Sequence, residues 1–307
     1  MTDTLSSAVA AADWPSDGAL ILDGRALAAE LRVKAATEVA DLKRRFRVLP
    51  GLAVVMVGDD PASHGYLRMI RKTCQAVDLP LELIELPAHA TRSLIQAEVA
   101  RLNVLHSVAG VIVQMPLPPP HGPETVSAVL DPAKDVDGIH PENAGRLTLG
   151  YSGLDYFVPP TPQAGLALLA RHNIALAGKT ALVIGRSAVV GRPLGQMLQA
   201  ANATVILTHS YTPPAVLRRL LGEADVVACA VGKPDFVRGA WLKPGAVVLD
   251  FGAGVVDGVM CGDVEFATAR HVAGVITPVP GGIGPVTNLM LVQNTIKAAR
   301  RMLHEWS

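Results

Sequence analysis

Thr180-Ala181-Leu182-Val183-Ile184-Gly185-Arg186-Ser187-Ala188-Val189-Val190-Gly191-Arg192-Pro193 is the stretch that decides the fold class. A short apolar run rich in β-branched residues stops at Gly185, and helical spacing starts after Gly191, over Arg192 to Ala201. A strand that turns through glycines straight into a helix opens a βαβ unit. Glycine lets the backbone approach a pyrophosphate, and the helix N-terminus offers free N–H groups and partial positive charge. The spacing is not G-x-G-x-x-G, because Ser187 stands at the second glycine. Taken alone, the turn also suits an ordinary βα connection.

Reading outward, Thr204 to Thr208, Asp225 to Ala230 and Ala246 to Asp250 have strand character, and Pro214 to Leu221 helical character. A Gly/Pro-rich loop, Thr277 to Pro285, precedes a final helix ending near His304. Upstream, Leu27 to Val39 has helical spacing. Gly51 to Val57 is a buried strand stopped by Gly58-Asp59-Asp60-Pro61. Ser63 to Val77 comes next as a helix, Leu81 to Leu86 as a strand, Ser93 to Leu105 as a helix and Gly110 to Gln114 as a strand. Met115 to Pro120 reads as extended loop, since proline fixes φ and removes donors. Alternation of strand and helix predicts an α/β protein with parallel sheets. Asp131 to Pro162, full of Pro, Gly, Asp and Asn, breaks the alternation, and a domain boundary is expected near its end.

Composition narrows the class. The 307 residues carry 27 Lys+Arg against 27 Asp+Glu, so charge recommends neither nucleic acid nor an acidic membrane as partner. Arg44, Arg45 and Arg47 form the densest basic run and read as a solvated helix end. Three scattered cysteines, Cys74, Cys229 and Cys261, suit neither a disulfide framework nor a metal site, and they suit a reducing cytoplasm. No apolar run is long enough to span a bilayer. Residues 1–18 lack the basic-then-apolar pattern of a secretory signal and read as a loose tail.

Roughly 20 residues after a dinucleotide turn, an NAD site usually offers an acid to the ribose hydroxyls. Here the next strand ends in Thr208-His209-Ser210. Arg186, His209 and Ser210 would instead suit a 2′-phosphate, which favours NADP. Asp225 to Gly232 is a strand entering a tight turn, a second point where backbone could face a dinucleotide.

Five further motifs occur along the chain. They are Val57-Gly58-Asp59-Asp60-Pro61-Ala62-Ser63-His64-Gly65-Tyr66, Val113-Gln114-Met115-Pro116-Leu117-Pro118, Lys134-Asp135-Val136-Asp137-Gly138, Pro159-Pro160-Thr161-Pro162 and Thr277-Pro278-Val279-Pro280-Gly281-Gly282-Ile283-Gly284-Pro285-Val286-Thr287. With the glycine turn, this set, in this order, resembles the methylenetetrahydrofolate dehydrogenase/cyclohydrolase family over about Leu22 to Thr295.

The resemblance implies two α/β domains with a folate cleft between them. Residues 19–158 plus 286–307 would form the folate-binding catalytic domain, and 159–285 a Rossmann-type NADP-binding domain. A homodimer through the cofactor domain is implied, without metal. The implied chemistry is hydride transfer from 5,10-methylenetetrahydrofolate to NADP, then opening of the methenyl cation by water to 10-formyltetrahydrofolate. Geometry governs the first step, and proton movement the second.

Residue by residue, the resemblance implies that Tyr66 lines the folate ring system, Gln114 bonds near the reacting nitrogens and Asp137 accepts from the pterin edge. Ser63, Pro280, Gly281 and Gly282 would shape the substrate side. Gly185, Arg186, Ser187, Val190, Gly191, His209, Ser210, Ala230, Val231, Gly232, Gly252 and Thr277 would line the cofactor.

One position departs. The family has a catalytic lysine four residues after the tyrosine, and this chain has Ile70. Positions i and i+4 share a helix face, so Tyr66 and Ile70 are expected to look into the cleft together. Lys72 lies round the helix, and Arg71 cannot act as a base at neutral pH. The expectation is a dehydrogenase with weak or absent cyclohydrolase activity, the loss of an acid–base group being worth roughly 10²–10⁴ in rate. The alternatives are the ordinary bifunctional enzyme, a non-catalytic binder of folate or NADP, and an NADP reductase for another small substrate. Milder departures are Ala253-Gly254 where the family has Ile-Asn, and Asn288-Leu289 where small residues are common.

Overall fold

The computed structural model describes residues 18–46, 49–150 and 156–305. In chain order its elements are β1 (Leu20–Ile21), α1 (Gly24–Arg45), β2 (Gly51–Val57), α2 (Pro61–Ala76), β3 (Leu81–Leu86), α3 (Arg92–Val104), β4 (Val108–Val113), α4 (Glu124–Ser127), α5 (Pro141–Leu149) and α6 (Pro160–Arg171). Next come β5 (Thr180–Ile184), α7 (Gly191–Ala200), β6 (Thr204–Thr208), α8 (Pro214–Glu223), β7 (Val226–Cys229), a 3₁₀ turn at Gly239–Trp241, β8 (Val247–Asp250), β9 (Gly254–Val256), β10 (Val259–Cys261), α9 (Phe266–Ala269), β11 (Val275–Ile276) and α10 (Ile283–Glu305).

Two parallel sheets result. One has the order β3-β2-β4, the other β1-β11-β8-β7-β5-β6. Every residue of β2 and β4 is buried, as uninterrupted apolar strands covered on both faces should be. The strand–helix alternation read from the sequence is present in both halves. The tail up to residue 17, and Arg47 of the basic run, lie outside the described residues. Arg44 and Arg45 end α1 in solvent, where cations suit a helix C-terminus.

Two features depart from the sequence reading. Leu20–Ile21, expected with the first domain, pairs with Val275–Ile276 at the edge of the six-stranded sheet. Two residues are too few to carry a period. The stretch expected to be irregular holds α5 and the start of α6. Pro141, Pro160 and Pro162 sit in the first turns of those helices, where a missing N–H costs nothing, and Gly150, at φ 63°, ends α5 in the left-handed region. Residues that cap helices and residues that make loops are the same types, so composition does not separate them.

Helix α10 joins the two halves. Ile283, Val286 and Met290 pack into the core of the six-stranded sheet, while Leu291, Val292, Ile296 and Leu303 pack into that of the three-stranded sheet. Within the second set, Asn294 is buried and its Nδ2 donates to the carbonyls of Val136 (2.7 Å) and Val158 (3.1 Å). Gln163 Nε2 of α6 donates to Asn294 Oδ1 at 3.3 Å. One carboxamide thus fixes the segment bearing Asp137 and the entry to the second half. Lys297 Nζ donates to Tyr156 O at 2.9 Å, and Lys297 and Arg301 lie over the buried ring of Phe157.

Candidate active site

In an open parallel sheet, ligands bind beyond the carboxyl ends of the strands where the order reverses. In the larger sheet the chain runs from β5 outward to β6, then back across to β7, so the reversal is at β5 and β7. Their ends carry the two turns singled out from the sequence, Gly185–Gly191 and Ala230–Gly232. In the smaller sheet the reversal is at β2 and β4, whose ends carry the Gly58 turn and Gln114.

The dinucleotide side is built on close backbone approach. Gly185 has φ +116°, and a Cβ there would lie 2.2 Å from the carbonyl oxygen of Ala230. A Cβ on Gly191 would lie 2.1 Å from the oxygen of Gly185. Ser187 Oγ accepts from Val190 N (3.1 Å) and Gly191 N (3.3 Å), so the residue at the second-glycine position closes the turn that leads into α7. Arg186 is exposed and makes no ion pair among the described residues; its guanidinium lies 5.8 Å from the Tyr211 ring centre. His209 Nδ1 accepts from Tyr211 N at 3.2 Å, and the two rings meet edge to face. Arg186, His209 and exposed Ser210 therefore share the mouth of the crevice at the ends of β5 and β6. A glycine cradle with an uncommitted guanidinium beside it fits a dinucleotide that carries an additional phosphate.

On the other side, the segment after α4 runs as a further parallel stretch beside β4. Val111 bridges Asp135, and Val111 N donates to Lys134 O at 2.8 Å. The bridge is a single pair: Gly138 N donates to Asp135 O at 3.2 Å, so the chain turns at once and Asp137 sits in that turn. Asp135 is wholly buried and accepts from His140 N (2.7 Å), Asn143 Nδ2 (2.8 Å) and Ile139 N (3.2 Å), so it folds the turn. Gly138 needs its φ of +66°, because a Cβ would lie 2.7 Å from Pro159 N. Lys134 caps α3, donating to Leu102 O and Leu105 O.

Asp137 itself makes no hydrogen bond among the described residues. Burial, and then the charge of Asp135, push its carboxyl up to about 7. Tyr66, half-buried on α2, has its hydroxyl pushed up by burial and then by Asp137, so the two groups are neighbours. Gln114 is 7% exposed, and its Nε2 is buried without a partner. A buried unpaired donor costs about 1–3 kcal/mol, and a bound ligand with an acceptor would recover it.

Ile70 does not open on the cleft as expected from its spacing. It is 1% exposed and belongs to the apolar core with Leu67, Cys74, Ile112, Val136 and Leu291. Arg71 and Lys72 are exposed on the outer face of α2. Ser63 is bound by the cap of α2: its N and Oγ donate to Asp60 Oδ2 at 2.8 and 2.9 Å. Thr277 is wholly buried, its Oγ1 accepting from Asp250 N at 2.8 Å, so it stands behind the crevice. Pro280, Gly281 and Gly282 form the loop between the halves. Gly24 N donates to Gly281 O at 2.9 Å, and a Cβ on Gly24 would lie 1.6 Å from Gly282 O.

The family pattern "Tetrahydrofolate dehydrogenase/cyclohydrolase, catalytic domain" matches residues 22–137, and "Tetrahydrofolate dehydrogenase/cyclohydrolase, NAD(P)-binding domain" matches 159–303. The "Bifunctional protein FolD" of Herpetosiphon aurantiacus is 47% identical over 288 residues, covering 94% of this chain and 99% of the relative. The chain belongs to the tetrahydrofolate dehydrogenase/cyclohydrolase family. Among solved structures, the bifunctional enzyme FolD of Campylobacter jejuni superposes with a TM-score of 0.88 at 36% identity, covering 92% of this chain and 98% of that one. The Trypanosoma brucei methylenetetrahydrofolate dehydrogenase-cyclohydrolase, solved with NADP and an inhibitor, gives 0.89 at 36%, covering 93% and 99%.

Sequence reasoning on this family member missed Asp250 and Asp263, two buried carboxylates behind the dinucleotide turns. Strand-end position was the available signal for Asp250. Asp263 lies just past a hairpin of three-residue strands, which no period revealed.

The raised carboxyl of Asp137 has a sign in stability. Its folded proton affinity exceeds that of the unfolded chain, so the folded state holds the extra proton between about pH 4 and 7, and its contribution falls as pH rises through that window. Asp137→Asn removes this cost. The variant should gain in unfolding midpoint relative to the parent at pH 8 compared with pH 5. An offset between the two proteins that stays constant from pH 5 to 8 would contradict the assignment.

Proposed function

We propose that this chain oxidises 5,10-methylenetetrahydrofolate to the methenyl form with NADP, and that the same cleft opens the methenyl product to 10-formyltetrahydrofolate. The observation that carries the reading is Tyr66 beside Asp137, with the unpaired buried amide of Gln114 at the end of β4 and a dinucleotide turn in the other half. Relatives covering nearly the whole chain are named as bifunctional enzymes, which supports both steps.

NADP, when bound, supplies the hydride acceptor. Gly185, Val190, Gly191, Ala230, Val231, Gly232 and Gly252 would hold its backbone-facing side. Arg186, Ser187, His209 and Ser210 would receive the 2′-phosphate, guanidinium and hydroxyl donors suiting a phosphate where an acid would suit a bare ribose. Asp137 would accept from the amine and amide edge of the pterin, its carboxylate recovering the hydrogen bonds that burial denies it. Gln114 Nε2 would donate to a ring acceptor near the reacting carbon, and Tyr66 would line the ring face. Hydride transfer asks of these groups mainly alignment and exclusion of water.

A second reading, a dehydrogenase with weak or absent cyclohydrolase activity, is favoured by one observation. Ile70 stands in the dry core at the position of the family's lysine, and Asp137 has only Asp135 acting on its charge. An aliphatic side chain neither activates water nor carries a proton. Purified protein given 5,10-methylenetetrahydrofolate should form NADPH with NADP and far less product with NAD. The methenyl chromophore tracked in the same cuvette separates the readings: accumulation in step with NADPH supports the second, decay faster than in enzyme-free buffer supports the first. No nicotinamide reduction with either cofactor would sink both.

The homodimer belongs to this proposal. The β9–β10 hairpin exposes Val255 (64%), Val256 (47%), Val259 (67%) and Met260 (47%), an apolar surface of the kind that marks an interface. Light scattering should give twice the chain mass, falling to one for Val255→Asp/Val259→Asp. An unchanged dimer in that variant would remove the hairpin from the interface.

A further inference from the structure

Asp250 and Asp263 tie together four of the positions assigned above to the cofactor side. Asp250 ends β8. Its Oδ1 accepts from Gly252 N (2.8 Å) and Asp263 N (2.9 Å), its Oδ2 from Val264 N (2.9 Å), and its own N donates to Thr277 Oγ1 (2.8 Å). Asp263, so held, turns its side chain the other way: Oδ2 accepts from Val231 N (2.6 Å) and Gly232 N (2.9 Å). The fit leaves no slack. A Cβ on Gly262 would lie 1.9 Å from Asp250 Oδ2, and one on Gly252 would lie 2.6 Å from Asp263 Oδ1.

The loop that Asp263 grips is the one whose Ala230 carbonyl presses on Gly185, the pivot of the dinucleotide turn. Ala230 N donates to Ile184 O at 2.8 Å, so the two strand ends are already laced, and Asp263 holds the next two peptides, at Val231 and Gly232. Two adjacent N–H groups converging on one carboxylate oxygen hold both peptides in one orientation, with charge-assisted bonds roughly twice as strong as neutral ones. The other oxygen, Asp263 Oδ1, is buried without a partner. A carboxylate kept with one oxygen unsatisfied serves the bonds made by the other.

We infer that Asp263, seated on Asp250, is a positioning residue for the dinucleotide: by gripping Val231 and Gly232 it sets the Ala230–Gly232 loop against Gly185 and so sets cofactor affinity, without acting on folate. This rests on the NAD(P)-binding role of residues 159–303, not on which folate reaction the cleft carries out. Burial raises the Asp250 carboxyl to about 6 against the pull of its three N–H donors, so the support beneath Asp263 is itself buried and oriented.

The test is direct NADPH binding by fluorescence, without folate, on the full chain. Asp263→Ala should weaken binding about tenfold or more, the effect of losing a pair of charge-assisted bonds. Asp263→Asn, whose amide oxygen reaches the same two N–H groups, should stay within about threefold of the parent, and Asp263→Ser, whose oxygen falls short, should behave like alanine. In the dehydrogenase assay, KM for NADP should keep the same order while kcat and KM for folate stay within about twofold of the parent, as expected where cofactor binding alone is altered. If the alanine variant fails to fold, the serine–asparagine pair decides alone. Equal binding by serine and asparagine variants, or folate KM rising in parallel with that for NADP, would overturn the inference. Failure of the parent to bind NADPH would overturn the cofactor reading instead.

Discussion

The carboxamide of Asn294 holds the molecule's two halves to one geometry. Its Nδ2 bonds the carbonyls of Val136 and Val158 from the middle of α10, just past the point where that helix leaves one core and enters the other. Val136 precedes the carboxylate at the folate side, and Val158 precedes the first helix of the dinucleotide half. A buried amide with both donors engaged on backbone is a satisfied polar group whose removal would strip the Val136 carbonyl of its donor and leave Val158 O to Gln163 alone. Reactions between two bound molecules depend on fixed separation of their sites, and here that separation is set by one helix rather than by a flexible linker.

The folate side is organised around a carboxyl without a counter-charge. Asp135 takes the backbone bonds of its turn, and Asp137, two residues on, is left to burial and to the repulsion of Asp135. Those two influences account for its proton affinity near neutrality. Ile70, one turn after Tyr66 on α2, adds only apolar packing to the core behind it. Gln114, with its amide nitrogen buried and unpaired, is the second polar group on this side whose partner must come from elsewhere. The arrangement suits a bound, polar, hydrogen-bonding substrate.

Much of this is legible in the sequence because the parallel strands are uninterrupted apolar runs. Gly51–Val57 and Thr180–Ile184 can be read to the residue. Helix α5 and the start of α6 are illegible because their prolines and glycine, which act as caps here, are also loop residues. Edge strand β1 is illegible because two residues carry no pattern. At the site, Tyr66, Gln114 and Asp137 can be named from their motifs. The inward packing of Ile70 and the retreat of Thr277 depend on contacts between distant segments. The Asp250–Asp263 pair escapes for the same reason: its partners lie on separate loops, and no spacing within the chain announces it.

The central claim is that one cleft both oxidises the methylene substrate and opens the methenyl product. The most direct measurement is methenyl opening with and without the protein, followed together with NADPH formation at one pH. The account predicts that the methenyl form decays faster with the protein than in enzyme-free buffer while NADPH forms. Methenyl accumulating in step with NADPH would contradict it.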